Sequence, residues 1–113
     1  MNPVMTRRMY RRVSADYASC YLMGSVLRQA VIRDISLNGV RIQCFSEPPE
    51  NPLVMVRLWL PGQQESLDVD QAMVRWVRGQ EFGVQFVSLS NEADFRLGVH
   101  IERILQQQLT WAV

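Results

Sequence analysis

The chain has 113 residues, 48% of them hydrophobic, with 12 basic and 11 acidic side chains and a net charge of +1. That length suits one domain with a single core, burying roughly two-thirds of its unfolded surface. The near-neutral charge argues against bulk attraction to nucleic acid, no apolar run approaches the roughly 20 residues of a membrane-spanning helix, and the polar start MNPVMTRRMYRR lacks the apolar stretch of a secretory signal. A cytoplasmic protein without membrane insertion is the expectation.

Residues 1–12 read as a polar arm. Arg7, Arg8, Arg11 and Arg12 lie here, and the first acid is Asp16. Close like charges repel, and no apolar pattern docks the segment. A flexible basic arm over residues 1–13 is therefore expected ahead of a barrel over residues 14–113. Every basic residue is Arg and none is Lys. Codon usage is enough to explain that, so the clustering carries the argument. Arg presents a planar fork to phosphates and guanine edges, where Lys presents a point charge.

Tyr17 to Leu22 reads as a first strand and Gly24-Ser25 as a turn. Val26 to Ile35 reads as a second strand, with Val31, Arg33 and Ile35 on one face. Asn38-Gly39 follows, and then Val40, Ile42 and Cys44 alternate with Arg41, Gln43 and Phe45, a strong hairpin signal. Ser46 to Pro52 is a loop, since its three prolines cannot sit in a ladder. Leu53 to Leu60, Leu67 to Val77 and Glu81 to Val87 complete six antiparallel strands with short turns, the pattern of a closed or split barrel. Ser90 or Asn91 suits a helix N-cap, with Glu92 and Asp94 in the first turn. Leu97, Ile101, Ile104, Leu105 and Leu109 then recur at helical spacing, which predicts one amphipathic C-terminal helix packed on the barrel. Cys20 and Cys44 lie in apolar strands without CxxC or a Cys/His cluster, so buried free thiols are expected and no metal.

Two short motifs can carry binding chemistry. Arg8-Met9-Tyr10-Arg11-Arg12 spells RxxxR, and Asp34-Ile35-Ser36-Leu37-Asn38-Gly39 spells DxSxxG at a strand end. An Arg fork grips the N7 and O6 acceptors of guanine, and a carboxylate such as Asp34 accepts from its Watson–Crick N–H groups. Ser36 can donate to a phosphate oxygen. Gly39 permits either close backbone approach or positive φ. Taken singly, an arginine cluster is more often a solvated tail and Ser-Leu-Asn-Gly more often a plain hairpin. Together, and in this order, they gain weight. His100 is the one histidine, on the helix, where a satisfied structural role outweighs a catalytic one. No nucleophile elbow, P-loop or Rossmann fingerprint is present, so no enzyme is expected.

With these motifs on this strand pattern, the chain resembles the PilZ family over essentially its whole length. The family has an RxxxR arm before a six-stranded barrel and [D/N]xSxxG at the end of the second strand. Arg8 and Arg12, followed by Val13, match the first motif; Asp34, Ser36 and Gly39 match the second. Ala72-Met73-Val74-Arg75-Trp76 and Gly83-Val84-Gln85-Phe86 resemble its fifth and sixth strands. The resemblance implies a receptor for cyclic di-GMP that passes the signal to a protein effector, working as an adaptor or as a subunit. It implies ligand contacts from Arg7, Arg8, Arg12, Asp34, Ser36 and Gly39, no other cofactor, and no long nucleic acid. Arg7 with Arg11 is an alternative RxxxR register. Trp76 reads as a core residue, with a wall of the site as its alternative. Two rival functions are a PilZ-like interaction module without nucleotide binding and a small RNA- or DNA-binding barrel, which would need a row of stacking aromatics.

Overall fold

The computed structural model describes residues 11–112, with side chains through Gln108. Arg7, Arg8 and most of the expected flexible arm lie outside the described residues, as does the side chain of Leu109. Within them the alternating pattern produces six strands. These are β1 (Val13–Met23), β2 (Val26–Ile35), β3 (Gly39–Cys44), β4 (Leu53–Leu58), β5 (Leu67–Arg78) and β6 (Glu81–Leu89). All pair antiparallel in the order β1-β2-β3-β6-β5-β4, and β4 returns to β1 to close the barrel. One helix, α1 (Asn91–Ala112), follows.

Inward positions fill the barrel with Tyr21, Ile32, Ile42, Val56, Leu67, Val69 and Phe82, all fully buried. The Tyr21 and Phe82 rings meet edge to face at 5.2 Å, and the Tyr21 hydroxyl donates to the Glu47 carbonyl at 2.6 Å. The buried polar tip is thus satisfied where the barrel meets the proline-rich loop. Cys20 and Cys44 are buried free thiols, as expected, and burial pushes both thiols up in pKa.

On β3 the expected alternation holds, with Val40, Ile42 and Cys44 buried. On β2 it does not. Ala30 and Ile32 face inward, and so does Ile35, three residues on. The pairing runs Ile32↔Ile42 and then Asp34↔Arg41, so Arg33 is an extra, bulged residue. A bulge resets the two-residue period, which is why Val31 and Arg33 do not share the inner face with Ile35.

Ser90 caps α1 as expected: its hydroxyl accepts from the Ala93 amide at 3.0 Å. Ala93, Leu97 and Ile101 are buried, and Ile104 and Leu105 pack on the same core. Arg96 pins the helix to the β4–β5 connection by donating to the carbonyls of Glu65 and Ser66 at 2.8 and 2.9 Å. Among the described residues no helix is long and apolar enough to cross a membrane.

His100 also joins the helix to β1. Its Nε2 shares a 2.6 Å hydrogen bond with the Tyr17 hydroxyl, and the rings stand edge to face at 5.4 Å. Burial, then the charge of Arg103, lowers the His100 pKa below its ordinary 6.5. The unfolded chain therefore takes up this proton at higher pH than the folded chain does. The stability contributed by the neutral ring is complete above pH 6.5 and is lost as pH falls through the lowered value. Between about pH 7.5 and pH 5, where the ordinary carboxylates stay ionised, the thermal midpoint of the wild-type chain should fall. In His100→Gln, which retains a polar partner for Tyr17, that fall should be smaller. Equal pH slopes in calorimetric melts of the two proteins would contradict this assignment.

Candidate functional site

A groove of about 350 Å³ lies on the outer face of the barrel, lined by residues of β2, β3, β5, β6 and the start of the chain, among them Arg12, Asp34, Arg41, Arg75 and Trp76. Its floor exists because two glycines remove side chains where strands cross closely. A Cβ at Gly39 would lie 2.3 Å from the Val84 carbonyl oxygen, and a Cβ at Gly83 would lie 2.1 Å from Nε1 of Trp76. Positive φ belongs to Gly24, Gly62 and Gly79 and not to Gly39. Of the two roles open to Gly39, close approach is the one it fills.

The turn between β2 and β3 is rigidly built. The Ser36 amide donates to the Gly39 carbonyl at 2.9 Å, and the Asn38 carbonyl accepts from the Phe86 amide at 2.8 Å, tying the turn to β6. The Ser36 side chain is fully buried, and its hydroxyl donates to Asn38 Oδ1 at 2.6 Å. Ser36 is therefore not among the residues lining the groove, and its hydroxyl is committed inside the turn. Asp34, Gly39 and Arg12 do come together there.

Asp34 is the electrostatic centre. Its Oδ1 accepts from Arg12 Nε at 2.5 Å and its Oδ2 from Arg41 Nε at 2.7 Å. Arg41 also donates through Nη1 to Glu81 Oε2 at 2.9 Å. The hydrogen bond to Asp34, ahead of the nearby carboxylate charges, raises the Arg41 pKa above its ordinary value, so this guanidinium is permanently charged. Two guanidinium groups thus face one carboxylate at the centre of the groove.

On β5, Arg75 and Trp76 both line the groove although they are consecutive. The pairing runs Val74↔Val84 and then Trp76↔Gly83, with Arg75 as an extra residue. This second bulge turns Trp76 outward. Its ring lies over Gly83 with 38% of the residue exposed, and the Arg78 guanidinium stands 5.7 Å from the ring centroid. The core reading of Trp76 is thereby corrected: it is a wall of the groove. Arg75 donates to the Gln85 amide oxygen through Nε at 2.8 Å. That partner is neutral, so the contact leaves its positive charge available to an anion. Arg41 and Arg75 are groove residues that the two motifs do not include. Arg41 follows the second motif by two positions on the outward face of β3, and Arg75 lies inside the fifth-strand pattern, which were the available signals.

Arginines of the kind that can pair with phosphate, an acceptor carboxylate and an exposed indole suit an anionic, aromatic ligand. Among the described residues no group of three or more His, Cys, Asp or Glu is placed to hold a metal.

A family model for the PilZ domain matches residues 6–107. The solved structure of the Bacillus subtilis inhibitor of motility, MotI/DgrA, has a TM-score of 0.69 at 14% identity, covering 92% of this chain and 52% of that one. This chain thus spans about half the length of that protein. The PilZ domain of CeSA from a cellulose-synthesizing bacterium has a TM-score of 0.60 at 18% identity, over 87% of this chain and 97% of that domain. At these identities the likeness is one of fold. No curated protein matches the chain by sequence.

The two floor glycines should respond differently to a methyl group. Gly39→Ala drives Cβ into strand backbone, which cannot yield locally, and should cost about 1–3 kcal/mol in denaturant unfolding. Gly83→Ala meets a side chain that can swing away, so stability should change less while the Trp76 indole N–H resonance shifts. Equal stability losses with an unmoved indole would contradict this picture of the floor.

Proposed function

We propose that this chain, which belongs to the PilZ domain family, is a receptor for cyclic di-GMP that transmits ligand binding to a protein effector. PilZ domains are receptor and adaptor modules, and the proposal adds that this chain keeps the nucleotide function. The observation that carries it is the meeting of Arg12 and Asp34, one from each short motif and 22 positions apart, in a single groove.

The groove volume sits near the lower end of the roughly 300–1,000 Å³ usual for ligand pockets. It suits one guanine and an adjoining phosphate, with the rest of the ligand held by Arg8 from the arm. In this reading, Asp34 accepts from the Watson–Crick edge of guanine and the indole of Trp76 covers a base face. Arg12 exchanges its contact with Asp34 for a phosphate or a Hoogsteen edge of the ligand. Ser36 and Gly39 act through the turn they build, Ser36 by holding Asn38 and Gly39 by letting β3 approach β6. The position of Arg12 beside Asp34 supports the Arg8–Arg12 register over Arg7–Arg11. Arg7 remains a further contact from the arm. The nucleic-acid alternative needs several stacking aromatics, and among the described residues Trp76 is the one aromatic residue that lines the groove.

Calorimetric titration with cyclic di-GMP should give binding in the nanomolar to low-micromolar range, about −8 to −12 kcal/mol. Arg8→Ala and Arg12→Ala should each weaken binding by about 2 kcal/mol through loss of charge-assisted hydrogen bonds. Melting should hardly change, because the Arg12–Asp34 pair is partly exposed and such pairs add little to stability. Unchanged affinity in both variants would move the assignment to Arg7 and Arg11. Absence of heat at high micromolar ligand would contradict the function itself.

A further inference from the structure

Arg41 belongs to neither short motif, yet it bridges two carboxylates beneath the groove. Its Nε holds Asp34 Oδ2 at 2.7 Å and its Nη1 holds Glu81 Oε2 at 2.9 Å. We propose that Arg41 is a positioning residue that makes this site selective for guanine over adenine, by holding the Asp34 carboxylate in one orientation. The inference rests on the proposed role of Asp34 as the acceptor for the base.

Guanine presents two adjacent N–H donors on its Watson–Crick edge. Adenine presents one donor beside one acceptor. An ionised carboxylate only accepts, so it satisfies guanine and opposes the ring acceptor of adenine; a protonated carboxyl donates once and accepts once, which suits adenine. Base selectivity therefore depends on the charge and direction of a single carboxylate.

That carboxylate has two cations in the free chain, and the proposed function takes one away. When Arg12 turns to the ligand, Arg41 is the guanidinium that still holds Asp34. Its geometry suits the task. Arg41 sits on β3 opposite Gly83 in the β3–β6 ladder, and Glu81, on the same partner strand, holds the other end of its fork. Side-chain exposure is 37% for Arg41 and 20% for Asp34, so the pair is partly withdrawn from water and its charge coupling is less screened than at an open surface. The rise in the Arg41 pKa, caused first by the hydrogen bond to Asp34, agrees with that coupling.

The test compares wild type, Arg41→Gln, Arg41→Lys and Glu81→Gln, each checked for an intact melt. Each is titrated with cyclic di-GMP and with cyclic di-AMP, and the chemical shift and relaxation of the Asp34 side-chain carbons are recorded by NMR at neutral pH without ligand. Arg41→Gln should weaken cyclic di-GMP by about tenfold, the loss of one charge-assisted hydrogen bond, and narrow its advantage over cyclic di-AMP. It should also shift the Asp34 carboxyl carbon resonance and raise the mobility of that side chain. Arg41→Lys, a point charge that cannot fork to both acids, should recover part of each effect, and Glu81→Gln should act in the same direction as Arg41→Gln but more weakly. Equal weakening of both dinucleotides would mean that Arg41 touches their shared phosphates, and would overturn the positioning role. An Asp34 side chain as well ordered in Arg41→Gln as in wild type would overturn it whether or not ligand binds. Failure of the wild-type chain to bind cyclic di-GMP, with the Asp34 side chain still loosened in Arg41→Gln, would overturn the guanine reading and leave the orienting of Asp34 by Arg41 standing.

Discussion

The carboxylate of Asp34 gives one oxygen to Arg12 and the other to Arg41. Much of the site follows from that division. It holds Arg12, the residue immediately before β1, at the groove. It also sets the charge of the groove, where Arg12, Arg41 and Arg75 line the surface with the one acid Asp34, and Glu81 offsets part of the excess from behind Arg41. A neutral ligand gains little from such a surface. One that brings phosphates to the arginines and N–H donors to the carboxylate replaces both sides of the internal contact at once.

The barrel supplies the space that the proposed exchange requires. A regular six-stranded barrel of this size is filled by its own side chains and presents a convex outer wall. Here two lining positions are glycine because the space of a side chain is already taken, by the Val84 backbone at Gly39 and by the Trp76 ring at Gly83. The bulges at Arg33 and Arg75 re-aim the flanking residues. Without the second bulge, Arg75 and Trp76 would point to opposite faces. With it, a cation and an aromatic ring stand together over the floor. The same backbone irregularities that interrupt the ladder are what create the recognition surface.

The strands were legible in the sequence because alternation is a direct image of an inside and an outside. Val40, Ile42 and Cys44 gave the inner face of β3 correctly, and β2 ran over the residues expected of it. Ser90 and the Leu97–Ile101 spacing located the helix. The bulges were not legible, since Arg33 and Arg75 look like any outward polar residue. The face of Ile35 and the exposure of Trp76 were misread for that reason. Within the site, Asp34, Gly39 and Arg12 were visible as motif members, and the groove brings them together. Ser36 was visible too, but its hydroxyl turns inward to the turn. Arg41 passed unnoticed because an arginine alternating with buried aliphatics reads as a solvated side chain, and only the strand pairing reveals that Asp34 and Glu81 lie on either side of it.

The account stands or falls on the exchange at Asp34. Arginine side-chain NMR observes it directly through the Nε–H resonances of Arg12 and Arg41, recorded on the intact chain with and without saturating cyclic di-GMP. The account predicts that the Arg12 Nε–H moves to a new environment and couples to a ligand phosphorus or guanine nitrogen. The Arg41 Nε–H should stay bonded to Asp34 in both states. An Arg12 resonance that remains on Asp34 when ligand saturates, or an Arg41 resonance that leaves it, would contradict the account.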